Sequence, residues 1–298
     1  MATSDVLDTE ALTFYREHGW FATGTVLPED LLDRAEEVVR GLDEDRRDLR
    51  VPQGLRDFLA WPPGMPRPTR LNQYIALQYQ AISDLTSFPA LARTAALLTG
   101  SSQLRIFNTA LIRKRPGAAR QYARVGWHCD RAYWATCSSP RMTTAWVPLQ
   151  DTTVSMGTLA VMDASHAWPD TTDVRALRTA KTFITEDHDL LWDRIDALRS
   201  GAVSVDVRRI ELRRGQVSFH HPLTLHGSGA NLSEVSRNAI SIHYQDAANH
   251  YVPAVETDGT PAEYVHDGFV GRLPNGEPDY ADPEICPTVW PPASPASA

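Results

Sequence analysis

The spacing of apolar positions along the chain changes near Gly100. Before that point they recur at helical intervals. Thr9 predicts the cap of a short helix that carries Ala11, Leu12 and Tyr15 and stops at Gly19. Trp20 to Val26 suits a strand. Pro28 then opens a stronger helix, with Leu31, Leu32, Ala35, Val38, Val39 and Leu42 on one face. Residues 50 to 70, rich in Pro and Arg, read as irregular cover, and a further helix runs from Phe88 to Leu98.

After Gly100 the pattern alternates instead. Leu104 to Lys114, Thr143 to Gln150, Thr158 to Met162, Val203 to Leu212, Gln216 to His221 and Arg237 to Tyr244 each read as strands. Turn residues punctuate them, among them Pro116-Gly117, Met156-Gly157, Arg214-Gly215 and Gly227-Ser228-Gly229. Many short strands with such punctuation predict a sandwich or barrel. The predicted fold is therefore mainly β with flanking helices, built on a double-stranded β-helix or jelly-roll core of cupin type. One domain spans 1–298. It comprises a helical buttress and cover over 9–100, the core over 101–245 and a tail over 246–298. The core carries a polar insertion at 167–200, whose second half, Asp187 to Arg199, reads as helical. Because long polar insertions beside a site are usually functional, that insertion is expected to act as a lid.

Composition narrows the class. With 42% hydrophobic and 22% charged residues the chain is an ordinary globular protein, neither disordered nor fibrous. Its apolar runs are too short to span a bilayer. Its acidic start lacks the basic and apolar regions of a secretory signal, which predicts a cytoplasmic protein. A formal net charge of -8 argues against nucleic acid as partner. Cys129, Cys137 and Cys286 form neither a disulfide framework nor a zinc pattern. The expected partner is a small-molecule substrate. Oligomeric state is left open.

Candidate chemistry concentrates at His128-Cys129-Asp130 and at His226. On a strand, residues two apart share a face, so His128 and Asp130 can grip one ion together while Cys129 points away. A histidine from a distant strand would complete a two-His, one-carboxylate set, which leaves adjacent positions open on a six-coordinate iron. His220 and His221 lie nearby and compete for that role.

The surroundings of these residues decide the matter. The segment GWHCDRAYW resembles the WHxDxxYW signature of the phytanoyl-CoA dioxygenase family, and LHGSGANLSEVSRNAISIHY resembles its second signature. The segment WVPLQDTTVSMGTLAVMDASH between them, and FYREHGWFATGTVLPEDL near the start, are also similar to that family. The resemblance covers residues 9 to 245 and implies an enzyme, an Fe(II)/2-oxoglutarate-dependent dioxygenase that also consumes O2. By position it implies that His128, Asp130 and His226 bind iron. Arg237 would hold the distal carboxylate of 2-oxoglutarate, Ser228 would hydrogen-bond the co-substrate and Lys114 would face it. His220 and His221 are then structural. One departure is Ser155-Met156-Gly157, where the family commonly has Glu-Asn-Gly. The presence of Asp130 argues against halogenation, because related halogenases lack the carboxylate ligand.

The expected reaction is hydroxylation, or another oxidation, of an unactivated C–H bond in a small molecule, with release of succinate and CO2. A secondary-metabolite intermediate is favoured, since only Lys114 and Lys181 accompany the arginines among 29 basic residues, a high-GC bacterial habit. Tyr133, Trp134 and Trp168 are candidate pocket aromatics. Arg120, Arg124, Arg131 and Arg141 belong to a stretch from Leu104 to Gln150 whose single acid is Asp130, and they predict an anionic group on the substrate. Two rival readings are a cupin-like metal hydrolase or isomerase that does not use 2-oxoglutarate, and an inactive small-molecule-binding barrel.

Overall fold

The structure, a computed structural model, describes residues 7–42, 47–49, 51, 55, 69–116, 124–181, 183, 203–256 and 258–292. Its elements in chain order begin with α1 (Thr9–His18), β1 (Trp20–Ala22), α2 (Glu29–Gly41), β2 (Thr69–Gln73), α3 (Gln80–Thr86), α4 (Pro89–Thr99) and β3 (Leu104–Lys114). There follow β4 (Val125–His128), β5 (Met142–Pro148), β6 (Leu159–Met162), α5 (Thr172–Thr179) and β7 (Val207–Ile210). The last are β8 (Ser218–His220), β9 (His226–Ser228), β10 (Arg237–Asp246) and β11 (Thr288–Trp290).

Two sheets form the jelly roll. The larger runs β1-β8-β5-β10-β3-β11, with β2 also pairing β3, and the smaller runs β4-β9-β6-β7. The β3–β10 pair is its antiparallel spine, with Arg237 opposite Lys114 and Asp246 opposite Leu104. Strict alternation fails once along β3. A bulge between His243 and Tyr244 of β10 sets them opposite Asn108 and Ile106, so Phe107 is the extra residue. Leu104 and Ile106 on one side of it and Leu111 on the other all pack toward the helices. Asn108, Ala110 and Ile112 face the opposite way, into a cavity.

The helices cover the outer face of the larger sheet. Leu31, Leu32, Ala35 and Val39 of α2 and Leu91, Ala92 and Ala95 of α4 join Ala145, Val147, Phe219, Ile240 and Ile242 in one apolar cluster. Each large aliphatic side chain buried this way contributes about 1.5–3 kcal/mol. Asp8, rather than Thr9, caps α1 by accepting from Ala11 N at 2.8 Å. Pro28 is the cap residue of α2 and Pro89 opens α4, which Gly100 ends in the left-handed region.

Four elements depart from the sequence expectations. β2 and β11, from stretches read as cover and tail, extend the larger sheet along the outer edge of β3. α3 was not anticipated, and the insertion's described helix is α5, in its first half. The helix expected at Asp187–Arg199 lies outside the described residues, as does most of the expected lid. Among the described residues, no helix is long and apolar enough to cross a membrane.

Candidate active site

A cavity of about 490 Å³ opens between the two sheets. His128 ends β4 and His226 begins β9, and the two are cross-strand partners. Asp130 does not lie on the strand as expected; it starts a one-turn 3-10 segment, Asp130–Ala132. Cys129 between them is still extended, at φ -103° and ψ 139°, so Asp130 returns to the side of His128. The Cys129 thiol points away and donates to Leu223 O at 3.1 Å.

One ligand-type atom from each of His128, Asp130 and His226 lies within 4.8 Å of the other two. The Nε2 atoms of His128 and His226 are 3.9 and 3.6 Å from Asp130 Oδ1. Both Nδ1 atoms are committed to main-chain carbonyls, Gly126 O at 2.8 Å and Thr224 O at 2.9 Å. That bond fixes the tautomer and leaves Nε2 bare toward the shared space. Burial holds both imidazoles below their ordinary value, His226 at about 4, so they are neutral donors at physiological pH. Burial alone would raise the Asp130 carboxyl, but the imidazoles around it, His226 foremost, hold it well below the usual range. The Thr144 hydroxyl donates to its other oxygen, Oδ2, and His220 Nε2 stands 3.3 Å from that atom. Two neutral nitrogens and one anionic oxygen, with Oδ1 left free, suit a divalent transition ion with open positions.

Deeper in the cavity Arg237 lines the wall, with its cross-strand partner Lys114 just behind it. Arg237 and Lys114 are 1% and 0% exposed. Lys114 is satisfied: Nζ donates to Ser228 Oγ at 2.6 Å, to Ser228 O at 3.2 Å and to Gly229 O. Burial, then the neighbouring Arg237 charge, holds its ammonium well below the ordinary lysine value. Arg237 is not satisfied. Its Cζ sits 5.4 Å from the Trp146 ring centroid, while Nε and Nη2 meet no hydrogen-bond partner among the described residues. Burial pushes its pKa down to about 9, which still leaves it charged at neutral pH. A buried guanidinium in this condition calls for an anion, and a terminal carboxylate matches its two-pronged geometry.

Glycine is required at two positions here. A Cβ on Gly227 would stand 2.9 Å from Val125 O, so the closeness of β9 to β4 excludes a side chain. Gly157 adopts φ +66°, and its Cβ would fall 2.4 Å from Gly229 O, in the loop that engages Lys114.

The cavity thus gathers His128, Asp130, His226, Ser228, Arg237, Tyr133 and Trp134 from the expected set. Lys114 is brought beside this wall but not into it, since its amine is spent on Ser228 and Gly229. Other expectations need correction. Arg131 donates to Cys137 O at 2.6 Å and Ser139 O at 3.0 Å, and so ties its own loop instead of facing the cavity. Arg141 is exposed outside the lining, because it stands just before β5 where the chain is at the surface. Trp168 is buried with Trp127, Met162 and Leu177 in a separate cluster behind the smaller sheet. Arg124 is exposed and off the lining, and Arg120 lies outside the described residues. His220, read as structural, lines the cavity, and alternation along β8 opposite Thr144 would have shown it. Gln73, Phe183 and Tyr264 also line it and were missed, since each comes from a stretch without period.

A jelly roll whose interior gathers two imidazoles and a carboxylate beside an unpaired guanidinium defines the architecture of the non-haem iron, 2-oxoglutarate-dependent oxygenases. The chain belongs to one such family: phytanoyl-CoA dioxygenase (PhyH) matches residues 15–239. That family uses Fe(II), 2-oxoglutarate and O2, and by class the chain is a 2-oxoglutarate-dependent oxygenase. The peroxisomal phytanoyl-CoA dioxygenase of Homo sapiens is 22% identical over 281 residues, covering 90% of this chain and 76% of that protein. That of Bos taurus is 26% identical over 190 residues, 62% of this chain and only 51% of that protein. Among solved structures, the epimerase SnoN in complex with Fe3+, alpha ketoglutarate and nogalamycin RO superposes with TM-score 0.65 at 23% identity, covering 94% of this chain and 97% of that one. EctD from S. alaskensis with 2-oxoglutarate and 5-hydroxyectoine gives 0.66 at 18%, covering 94% and 88%. These likenesses show the fold.

Proposed function

We propose that this single oxygenase domain oxidises an unactivated C–H bond of a small molecule, hydroxylation being the default outcome, with release of succinate and CO2. The observation that carries the reading is Arg237, a buried guanidinium with open donors beside an intact two-His, one-carboxylate set. In this reading His128 and His226 hold iron through Nε2 and Asp130 through Oδ1. Fe(II), when bound with 2-oxoglutarate and O2, supplies the oxidising power. Arg237 receives the distal carboxylate, and Lys114 holds Ser228 in place to hydrogen-bond the co-substrate. Thr144 keeps Asp130 turned so that one oxygen stays free. Trp146 and the aromatic wall exclude water from the reacting bond.

The Arg-rich composition favours a secondary-metabolite intermediate in a bacterial cytoplasm over an acyl-CoA. Succinate release across a panel of small molecules, followed by product mass, tests the reading. Substrate-dependent succinate that requires Fe(II), 2-oxoglutarate and O2 is expected. Product formation with metal but without 2-oxoglutarate would replace it with the hydrolase or isomerase alternative.

A further inference from the structure

The cavity has two chemically different ends. Along β3 the face that looks inward runs from the register position of Arg237, opposite Lys114, down to Asn108, a span of roughly 20 Å at strand rise. A five-carbon dicarboxylate fills only the part nearest Arg237. At the far end Asn108 meets Gln73 of β2 and Tyr264 of the tail. Asn108 Nδ2 is 3.5 Å from Gln73 Oε1 and 3.4 Å from Tyr264 OH, both at the long limit of a hydrogen bond. These groups are loosely tied to one another and open to the cavity, so an incoming polar group can replace those contacts at little cost. The rings of Tyr133, Trp134 and Phe183 form the adjoining walls.

Charge is scarce at this end. Among the described lining residues only Lys181 and Glu263 carry it there. Lys181 is already paired with Glu256 at 2.5 Å, and Glu263 stands exposed at the mouth. Arg131 and Arg141, which would have favoured an anion, are turned away. A carboxylate or phosphate placed against two amides and a phenol would lose its hydration without gaining a counter-charge from the described lining residues. The Tyr264 phenol accepts from Asn108, and burial raises its pKa, so it keeps a proton to donate.

We propose that this far end is the primary-substrate subsite and takes an uncharged ring compound bearing a carbonyl or hydroxyl group, hydrogen-bonded by Asn108, Gln73 and Tyr264 and stacked on the neighbouring rings. The word substrate rests on the oxygenase reading; the binding does not.

The test titrates the protein with 2-naphthamide, 2-naphthol, 2-naphthoate and decanoyl-CoA, following emission quenching of the cavity tryptophans Trp134 and Trp146 and, in parallel, heat. Each titration is run with Fe(II) and 2-oxoglutarate without O2, and again without either. Both neutral probes should saturate, and 2-naphthoate should bind at least tenfold more weakly. Tyr264→Phe and Asn108→Ala, checked by circular dichroism, should each weaken 2-naphthamide by about three- to tenfold, the range of one hydrogen bond, while 2-oxoglutarate affinity stays put. The proposal is overturned if 2-naphthoate or decanoyl-CoA binds more tightly than the amide, if neither neutral probe saturates, or if the folded variants bind 2-naphthamide as the wild type does. Absence of 2-oxoglutarate binding would instead sink the oxygenase reading, and the titrations run without it would still report on this subsite.

Discussion

Replacing Arg237 by Met separates two effects of opposite sign. In the ligand-free protein the guanidinium is buried with open donors, and its pKa of about 9 against an ordinary 12.5 measures the burden. The unfolded chain holds that proton more tightly than the folded one, so at neutral pH the full penalty acts against folding. Burying an uncompensated ion of this kind costs several kcal/mol, part of it relieved by water in the open cavity. Met keeps the packing on Trp146 without the charge. The free variant should therefore be as stable as the wild type or more so, with Tm higher by roughly 2–4 °C for each kcal/mol recovered. Co-substrate binding should move the other way. Losing one partner of a buried charge pair costs about 2–5 kcal/mol, or roughly 30- to 4,000-fold in Kd for 2-oxoglutarate. Calorimetric titration of 2-oxoglutarate with Mn(II) present, paired with thermal unfolding with and without 2-oxoglutarate, reads both. A variant that binds 2-oxoglutarate within threefold of wild type, or a free variant that unfolds several degrees earlier, would refute the reasoning.

Asp130→Ala should abolish coupled succinate release and weaken Fe(II), since two imidazoles alone do not fix the facial set; wild-type turnover would remove Asp130 from it. Gly157→Ala should cost about 1–3 kcal/mol in urea unfolding, because φ +66° and the 2.4 Å approach to Gly229 O must both be relieved. An unchanged midpoint would contradict that. His266 is fully buried, donates to or accepts from Tyr74 OH at 3.0 Å, and is pushed by burial to about 3. The unfolded chain takes up this proton near pH 6.5 and the folded chain only near 3, so stability falls as pH drops through that window, by up to about 1.4 kcal/mol per unit for one group. His266→Gln should flatten the slope of unfolding free energy between pH 6.5 and 4.5; parallel slopes would show that His266 does not titrate as described.

What could be read in the sequence was whatever local spacing controls. Alternation gave β3, β5, β8 and β10 as strands, and the His128-x-Asp130 spacing survived even though Asp130 sits past the strand end, because Cys129 remains extended. Apolar periodicity gave α2 with its buried face, and α4 as a helix. Register across long separations leaves no such trace. Thr69–Gln73 and Thr288–Trp290 join β3 through backbone hydrogen bonds that no side-chain pattern announces. The arginine excess between Leu104 and Gln150 misled for a related reason: charge counting ignores direction, and Arg131 spends its guanidinium on two carbonyls of its own loop. The aperiodic stretch around Tyr264 was legible only as loop, yet it supplies one wall of the cavity.

The most direct test of the account is an anaerobic titration of 2-oxoglutarate into the Fe(II)-loaded protein, followed by visible absorption. The account predicts a weak charge-transfer band that saturates at one equivalent, is absent in Asp130→Ala and needs far more 2-oxoglutarate in Arg237→Met. Stoichiometric Fe(II) with no band at millimolar 2-oxoglutarate would contradict it.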